Sequence, residues 1–251
     1  MIPKIIHYCW LSDDPYPETI KKCIDSWKEA MPDYELIKWD RKRFNINSVP
    51  YVKDAFEAKK YAFCADYIRI YALYTMGGIY LDSDVMVYKS FDPFLCHKSF
   101  SSIEFHYCIL YAHSFNKREK MIGIEAAVLG AEAKSDWLKD VLDYYNSTNF
   151  SLSSKEIEKN IMPRVIARIL NQKYGFHYLP IYQNLKNGFH IYPAEVFSAN
   201  FVENNPIKYS SHLAANSWGY QKNTWKEKVR TFLDKYHLLN LTRRIRGIEK
   251  L

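Results

Sequence analysis

The apolar residues of this chain switch repeatedly between two periods. Lys4 to Trp10 is apolar on both faces, as a strand buried in a parallel sheet is. From about Pro17 to Met31 the period lengthens, with Ile20, Cys23, Ile24, Trp27 and Met31 on one helical face. Pro32-Asp33 stops that helix, and Tyr34 to Trp39 alternates as a second strand. This β-α-β opening predicts a doubly wound α/β sheet. Residues from about Val52 to Met76 read as helix, in one piece or two. Gly77-Gly78 closes it, because glycine accepts the left-handed conformation of a helix C-cap. Ile79-Tyr80-Leu81 then reads as a short buried strand.

Further along, Met86 to Tyr88 is a candidate strand, Phe91-Asp92-Pro93 a turn, and Ser99 to Ser114 a set of short strands. Ile122 to Leu129 reads as one buried strand interrupted by a single charge, Glu125. Helices are expected from about Ser135 to Tyr145, and from a cap at Ser153 to about Tyr174 with a bend at Pro163. Phe176 to Ile181, Phe189 to Tyr192 and Ile207 to Leu213 read as strands, the last containing His212. Trp225 to Tyr236 is a final amphipathic helix. With no repeat, low-complexity segment or linker, the pattern predicts one domain over residues 1–220. A basic amphipathic helix and tail over 221–251 follows it.

Candidate chemistry gathers around the glycine pair. The strand after it delivers Asp82 and Asp84, and side chains at i and i+2 of an extended chain face one spot about 7 Å wide. Open α/β sheets bind ligands at the carboxyl ends of their strands. Two hard oxygen donors there suit Mg²⁺ or Mn²⁺ shared with a diphosphate; an ordinary turn is the alternative. Asp66 and Arg69 share a face of the preceding helix, as a surface ion pair or as part of a site, on a helix otherwise apolar over most of its circumference. No Gly-X-Gly-X-X-Gly occupies the first turn, which argues against a dinucleotide fold of that kind.

Composition changes the picture in three places. The chain has 251 residues, and its 48% hydrophobic and 25% charged content is that of a soluble globular protein. Aromatics reach 16%, with 21 Tyr and 6 Trp, suiting either a Tyr-rich core or rings that stack on sugars and bases. Five cysteines (Cys9, Cys23, Cys64, Cys96, Cys108), without Cys-X-X-Cys, point to reduced thiols and a cytoplasmic chain, not to a disulfide framework or zinc site. The chain shows no signal-peptide pattern and no spanning apolar run. Nearly all of the net charge of +7 comes from the final stretch, between Lys222 and Lys250. That stretch is either a solvated helix face or a peripheral contact with the inner face of an anionic membrane.

Four blocks carry a family resemblance: Ile2 to Trp10, Ala65-Asp66-Tyr67-Ile68-Arg69, Gly77 to Val85, and His212 to Trp218. In that order they resemble glycosyltransferase family 32, which includes bacterial capsule and surface-polysaccharide transferases and yeast mannosyltransferases. The catalytic domains of clostridial glucosylating toxins look related. The resemblance implies a GT-A fold with a single Rossmann-like mixed sheet flanked by helices. It also implies a nucleotide-sugar donor, a divalent metal (Mn²⁺ or Mg²⁺), a saccharide acceptor that could be lipid-linked, and retention of anomeric configuration. It favours a UDP-linked galactose, glucose or N-acetyl sugar, with GDP-mannose as the alternative; no nucleic acid is implied.

By position, Trp10 resembles the ring that stacks on the donor base, and Tyr80 would lie beside the donor. Asp66 and Arg69 resemble the pair that holds ribose and sugar hydroxyls, with Arg69 near phosphate. Asp82 would touch ribose or a metal-bound water, and Asp84 would ligate the metal directly. His212 would complete the metal shell, while Ser217 and Trp218 would contact the diphosphate. Many members have two adjacent histidines before this Ser-Trp, and this chain has Ser211-His212. Glu125 is the candidate for touching acceptor or sugar, with a structural role at a strand end as the alternative. A haloacid-dehalogenase-like phosphatase also uses Asp-X-Asp, but on the first strand and with a second acidic pair downstream. A basic membrane- or polyanion-binding module would leave Asp66, Arg69, Asp82 and Asp84 without a role.

Overall fold

The computed structural model describes residues 1–105, 122–198 and 207–213, except for the side chains of Phe105, Ser154 and Lys155; Cys108, Ser217, Trp218, the expected helix Trp225–Tyr236 and the basic tail lie outside these residues. In chain order come β1 (Ile5–Cys9), α1 (Glu18–Ala30), β2 (Glu35–Trp39), α2 (Pro50–Glu57), α3 (Tyr61–Met76), β3 (Gly78–Leu81), β4 (Val85–Val87) and β5 (Ser99–Phe105). After the undescribed stretch come β6 (Ile122–Ile124), β7 (Val128–Ala131), α4 (Asp136–Asn146), α5 (Ser154–Asn160), α6 (Met162–Tyr174), β8 (Gln183–Asn184), β9 (Phe189–Tyr192), α7 (Ala194–Phe197) and β10 (Ser210–His212).

One mixed sheet runs β2-β1-β3-β7-β5-β9-β8, with β6 paired to β5 off this path. Its first three strands are parallel, as the β-α-β opening predicts, and β7 joins β3 antiparallel. Apolar side chains cover both faces. Trp27, Phe91, Phe100 and Phe197 pack on the face beneath α1. The other face lies under α3, α4 and α6, with Ile68, Leu73, Trp137, Val165 and Leu170. This is the α/β mixed sheet flanked by helices that the GT-A expectation describes. Gly130 on β7 is the tight point, because a Cβ there would meet the Phe100 ring at 2.0 Å.

Several expected elements divide, each for a local reason. The helix over Val52–Met76 is two, separated at Lys59, whose φ of 57° is left-handed. The helix expected from Ser153 to Tyr174 breaks at Ile161, whose extended ψ of 136° makes it the cap of α6. Pro163 then sits in the first turn of α6, where its missing N–H costs nothing. Phe176–Ile181 is no strand. Side chains satisfy its backbone instead: Asn171 donates to the Phe176 carbonyl at 2.7 Å, and Gln183 brackets His177 through N–H and C=O at 2.9 and 2.8 Å. Ile122–Leu129 is not one strand but β6 and β7, with Glu125 to Ala127 between them. Cys9, Cys23 and Cys64 are buried free thiols and Cys96 is an exposed one. Among the described residues no helix is long and apolar enough to cross a membrane.

His7, fully buried on β1, fastens the parallel strands to the end of α3. Trp39 Nε1–H donates to His7 Nδ1 at 3.1 Å, so the ring proton sits on Nε2 and donates to the Gly77 carbonyl at 2.8 Å. Burial lowers the pKa of this imidazole from 6.5 to about 4, against the opposing pull of the Gly77 carbonyl. Between those values the unfolded chain takes up a proton that the folded chain refuses. The stability His7 contributes is therefore complete above pH 6.5 and lost as pH falls toward 4, by about 3 kcal/mol. In urea unfolding across that range, the gap between wild type and His7→Gln should shrink by this amount; parallel pH profiles would contradict it.

Candidate active site

The carboxyl end of β3 is where the sequence motifs meet. Asp82 N–H donates to the Ala127 carbonyl at 2.9 Å, and Val85 N–H donates back to the Asp82 carbonyl at 3.0 Å. Asp82-Ser83-Asp84 is therefore a tight turn between β3 and β4, not the extended pair that the i, i+2 spacing suggests. The two carboxylates converge because the turn folds them together. Trp27 Nε1–H donates to the Val85 carbonyl at 2.7 Å, and Ser26 Oγ accepts from Val87 N–H at 3.0 Å, so α1 holds β4 in place. On its other side β4 pairs antiparallel with β10, with His212 opposite Val85, and Leu213 N–H closes the turn onto the Asp84 carbonyl at 3.1 Å.

Beneath the turn lies Arg69. Its Nη2 stands 3.1 Å from Asp66 Oδ1 and 3.2 Å from Asp82 Oδ1. Nη1 donates to the Ala126 carbonyl, and the guanidinium sits 4.8 Å from the centre of the Tyr80 ring. Tyr80 OH in turn donates to Asp82 Oδ1 at 3.2 Å. The Arg69 side chain is only 5% exposed, so this is a buried bridge and not the surface ion pair that an i, i+3 spacing allows. Burial raises the Asp66 carboxyl to about pH 7 against the pull of Arg69. Asp82 is raised by burial too, with Arg69 and His212 opposing.

Above the turn, Asp82, Asp84 and His212 bring one ligand atom each within 4.8 Å of one another. His212 Nε2 faces Asp84 Oδ1 at 3.4 Å, and its Nδ1 faces Glu125 Oε1 at 3.6 Å. Burial disfavours the imidazolium, but the carboxylates of Asp84 and Glu125 outweigh that and hold its pKa well above the ordinary value. Four carboxylates (Asp66, Asp82, Asp84, Glu125) thus crowd one guanidinium and one imidazole. Such an acidic excess in a buried site calls for a cation. Two ligands of one Mg²⁺ stand no more than about 4.2 Å apart, so a contraction of a fraction of an ångström closes the set. Two oxygens and one imidazole nitrogen fit Mn²⁺ or Mg²⁺.

Residues 17–101, which contain both the bridge and the turn, match the family described as a glycosyltransferase sugar-binding region containing the DXD motif. This segment, about a third of the chain, is similar to the DXD glycosyltransferase family. The chain is 35% identical over 101 residues to inositol phosphoceramide mannosyltransferase 3 of Schizosaccharomyces pombe, covering 38% of this chain and 27% of that protein. It is 35% identical over 107 residues to the mannosyl phosphorylinositol ceramide synthase SUR1 of Saccharomyces cerevisiae, covering 40% and 27%. The chain thus spans about a quarter of the length of these relatives. Among solved structures, PaToxG glycosyltransferase superposes with a TM-score of 0.48 at 18% identity, over 68% of this chain and 69% of that one. Galactosyltransferase LgtC, in complex with donor and acceptor sugar analogues, gives 0.44 at 16% identity over 92% and 95%.

The structure gathers most of the residues singled out in the sequence. Trp10 follows β1 at the same sheet edge, since the register pairs His7 with Tyr80. Its ring is buried edge-on against Tyr16 at 5.0 Å, and its Nε1–H donates to the Asp14 carbonyl at 3.1 Å. Glu125 is 3% exposed and stands behind His212, on the side away from the aspartates. Ser217 and Trp218 lie outside the described residues. Sequence reading missed the Ala126 and Ala127 carbonyls, which bind Arg69 and the Asp82 amide; no side-chain signal could have marked them.

The buried bridge makes a stability prediction. Arg69→Met leaves Asp66 and Asp82 unpaired and should cost about 3–5 kcal/mol in denaturant unfolding at neutral pH. Arg69→Lys should recover only part of this, because one ammonium cannot span both carboxylates and the Ala126 carbonyl. A loss under about 1 kcal/mol would mean that the bridge is solvated.

Proposed function

We propose that this chain is a metal-dependent, retaining glycosyltransferase that moves a hexose from a nucleoside diphosphate sugar to a saccharide acceptor. The observation that carries this reading is the convergence of Asp82, Asp84 and His212 at a sheet edge whose Asp-X-Asp lies in the family's sugar-binding region. Asp84 and His212 would hold Mn²⁺ or Mg²⁺, with Asp82 as a third ligand or bonded to a water of the ion. The ion would supply positive charge where the diphosphate leaves.

The chain's own residues do the rest. Arg69 and Tyr80 fix the Asp82 carboxylate in the turn. Trp10 stands at the same edge as the ring for the donor base. Ser217 and Trp218 follow β10 in sequence and are the residues we assign to the diphosphate. No carboxylate is assigned as a nucleophile, since Glu125 is engaged with Ala127 N–H and faces His212. Retention then proceeds with acceptor and leaving group on one face of the sugar.

For the donor, family resemblance favours a UDP-linked galactose, glucose or N-acetyl sugar, serving capsule or surface-polysaccharide synthesis. The names of the yeast relatives favour a second reading, mannose from GDP-mannose. Incubation with UDP-glucose, UDP-galactose, their N-acetyl forms and GDP-mannose, each with Mn²⁺ or Mg²⁺, separates the two. One donor should be hydrolysed slowly without acceptor, and Asp84→Asn should lower that rate on the order of 10²-fold or more. Hydrolysis that survives chelation and Asp84→Asn would overturn the metal-site reading.

A further inference from the structure

Glu125 interrupts an apolar run, and its surroundings assign it a task other than touching sugar. Its backbone is pinned from both sides: its N–H donates to the Ser102 carbonyl at 2.8 Å, and its carbonyl accepts from Ser101 Oγ at 2.8 Å. Its carboxylate accepts Ala127 N–H at 2.9 Å and lies 3.6 Å from His212 Nδ1. The opposite nitrogen, Nε2, faces Asp84. The imidazole is therefore flanked by a held carboxylate on one edge and the Asp-Ser-Asp turn on the other. An imidazole that ligates a cation is neutral and carries one N–H, and a carboxylate at Nδ1 assigns it there, leaving the Nε2 lone pair to the turn.

We propose that Glu125 is the positioning residue of the cation site: it selects the Nδ1–H form of His212 and fixes the ring so that Nε2 completes the set formed with Asp82 and Asp84. The inference rests on reading those three residues as a cation site. It makes the break between β6 and β7 part of that site. Ala127, whose N–H holds the Glu125 carboxylate, also accepts the Asp82 amide through its carbonyl, and Ala126 accepts Arg69. One short irregular segment thus touches the Asp82 amide, the Arg69 guanidinium that holds Asp82, and the His212 ring.

The test is a double-mutant cycle read by Mn²⁺ binding, with paramagnetic resonance of the free ion and no sugar nucleotide present. E125Q keeps an acceptor for Ala127 N–H but loses the charge behind the ring, and should weaken Mn²⁺ binding about 10- to 100-fold. Its metal-free melting temperature should match wild type. In the H212A background, E125Q should cause no further loss. Equal Mn²⁺ affinity in wild type and E125Q would overturn the proposal while leaving the cation site standing. So would losses that multiply in the double variant, since Glu125 would then act without His212. A wild type that binds no Mn²⁺ would overturn the cation reading and the proposal together. Should E125Q melt early, E125D serves in its place. It retains the charge but withdraws it by one methylene, and should give a smaller loss that again vanishes in H212A.

Discussion

The site depends on a cation that is part of the protein, the buried guanidinium of Arg69. Few buried arrangements are as exacting, because a charge removed from water must find acceptors on every side or the fold suffers. Here the acceptors come from a helix residue (Asp66), a turn residue (Asp82), an aromatic face (Tyr80) and a backbone carbonyl (Ala126). Each belongs to a different part of the chain, so satisfying Arg69 fixes α3, β3 and the β6–β7 break relative to one another. The Asp-Ser-Asp turn hangs from this point.

Charge balance then explains how the site is layered. Below the turn, Arg69 offsets Asp66 and Asp82. Above it, Asp84 and Glu125 flank His212, whose ring holds a proton readily for that reason. The upper layer is short of positive charge, and the lower layer cannot lend any because its guanidinium is enclosed. A divalent ion with open positions for a diphosphate resolves the shortage from the solvent side.

Much of this could be read from the residues themselves. The β-α-β opening and the glycine-capped helix follow from period and spacing, and the grouping of Asp66, Arg69, Asp82 and Asp84 is legible through the family resemblance. What escaped has two causes. The turn at Asp82–Asp84 and the division of Ile122–Leu129 are settled by hydrogen bonds to distant backbone, of which a window of neighbouring residues carries no record. The irregular path of Phe176–Ile181 is settled by the nearby side chains of Asn171 and Gln183, which satisfy its backbone without a ladder. Glu125 shows the limit well: one charge in an apolar run announced that something was special there, but only its distance to His212 says what.

The pairing of β4 with β10 divides the site unevenly along the chain. The segment shared with the family ends at residue 101, so it contains the bridge and the turn but neither Glu125 nor His212. The Asp-X-Asp turn thus lies within the matched segment, whereas His212 is delivered by a return of the chain from far downstream. Closing so long a loop adds little to the entropic cost, which grows only with the logarithm of its length. A downstream segment is therefore free to vary in length and content while still returning to the same strand.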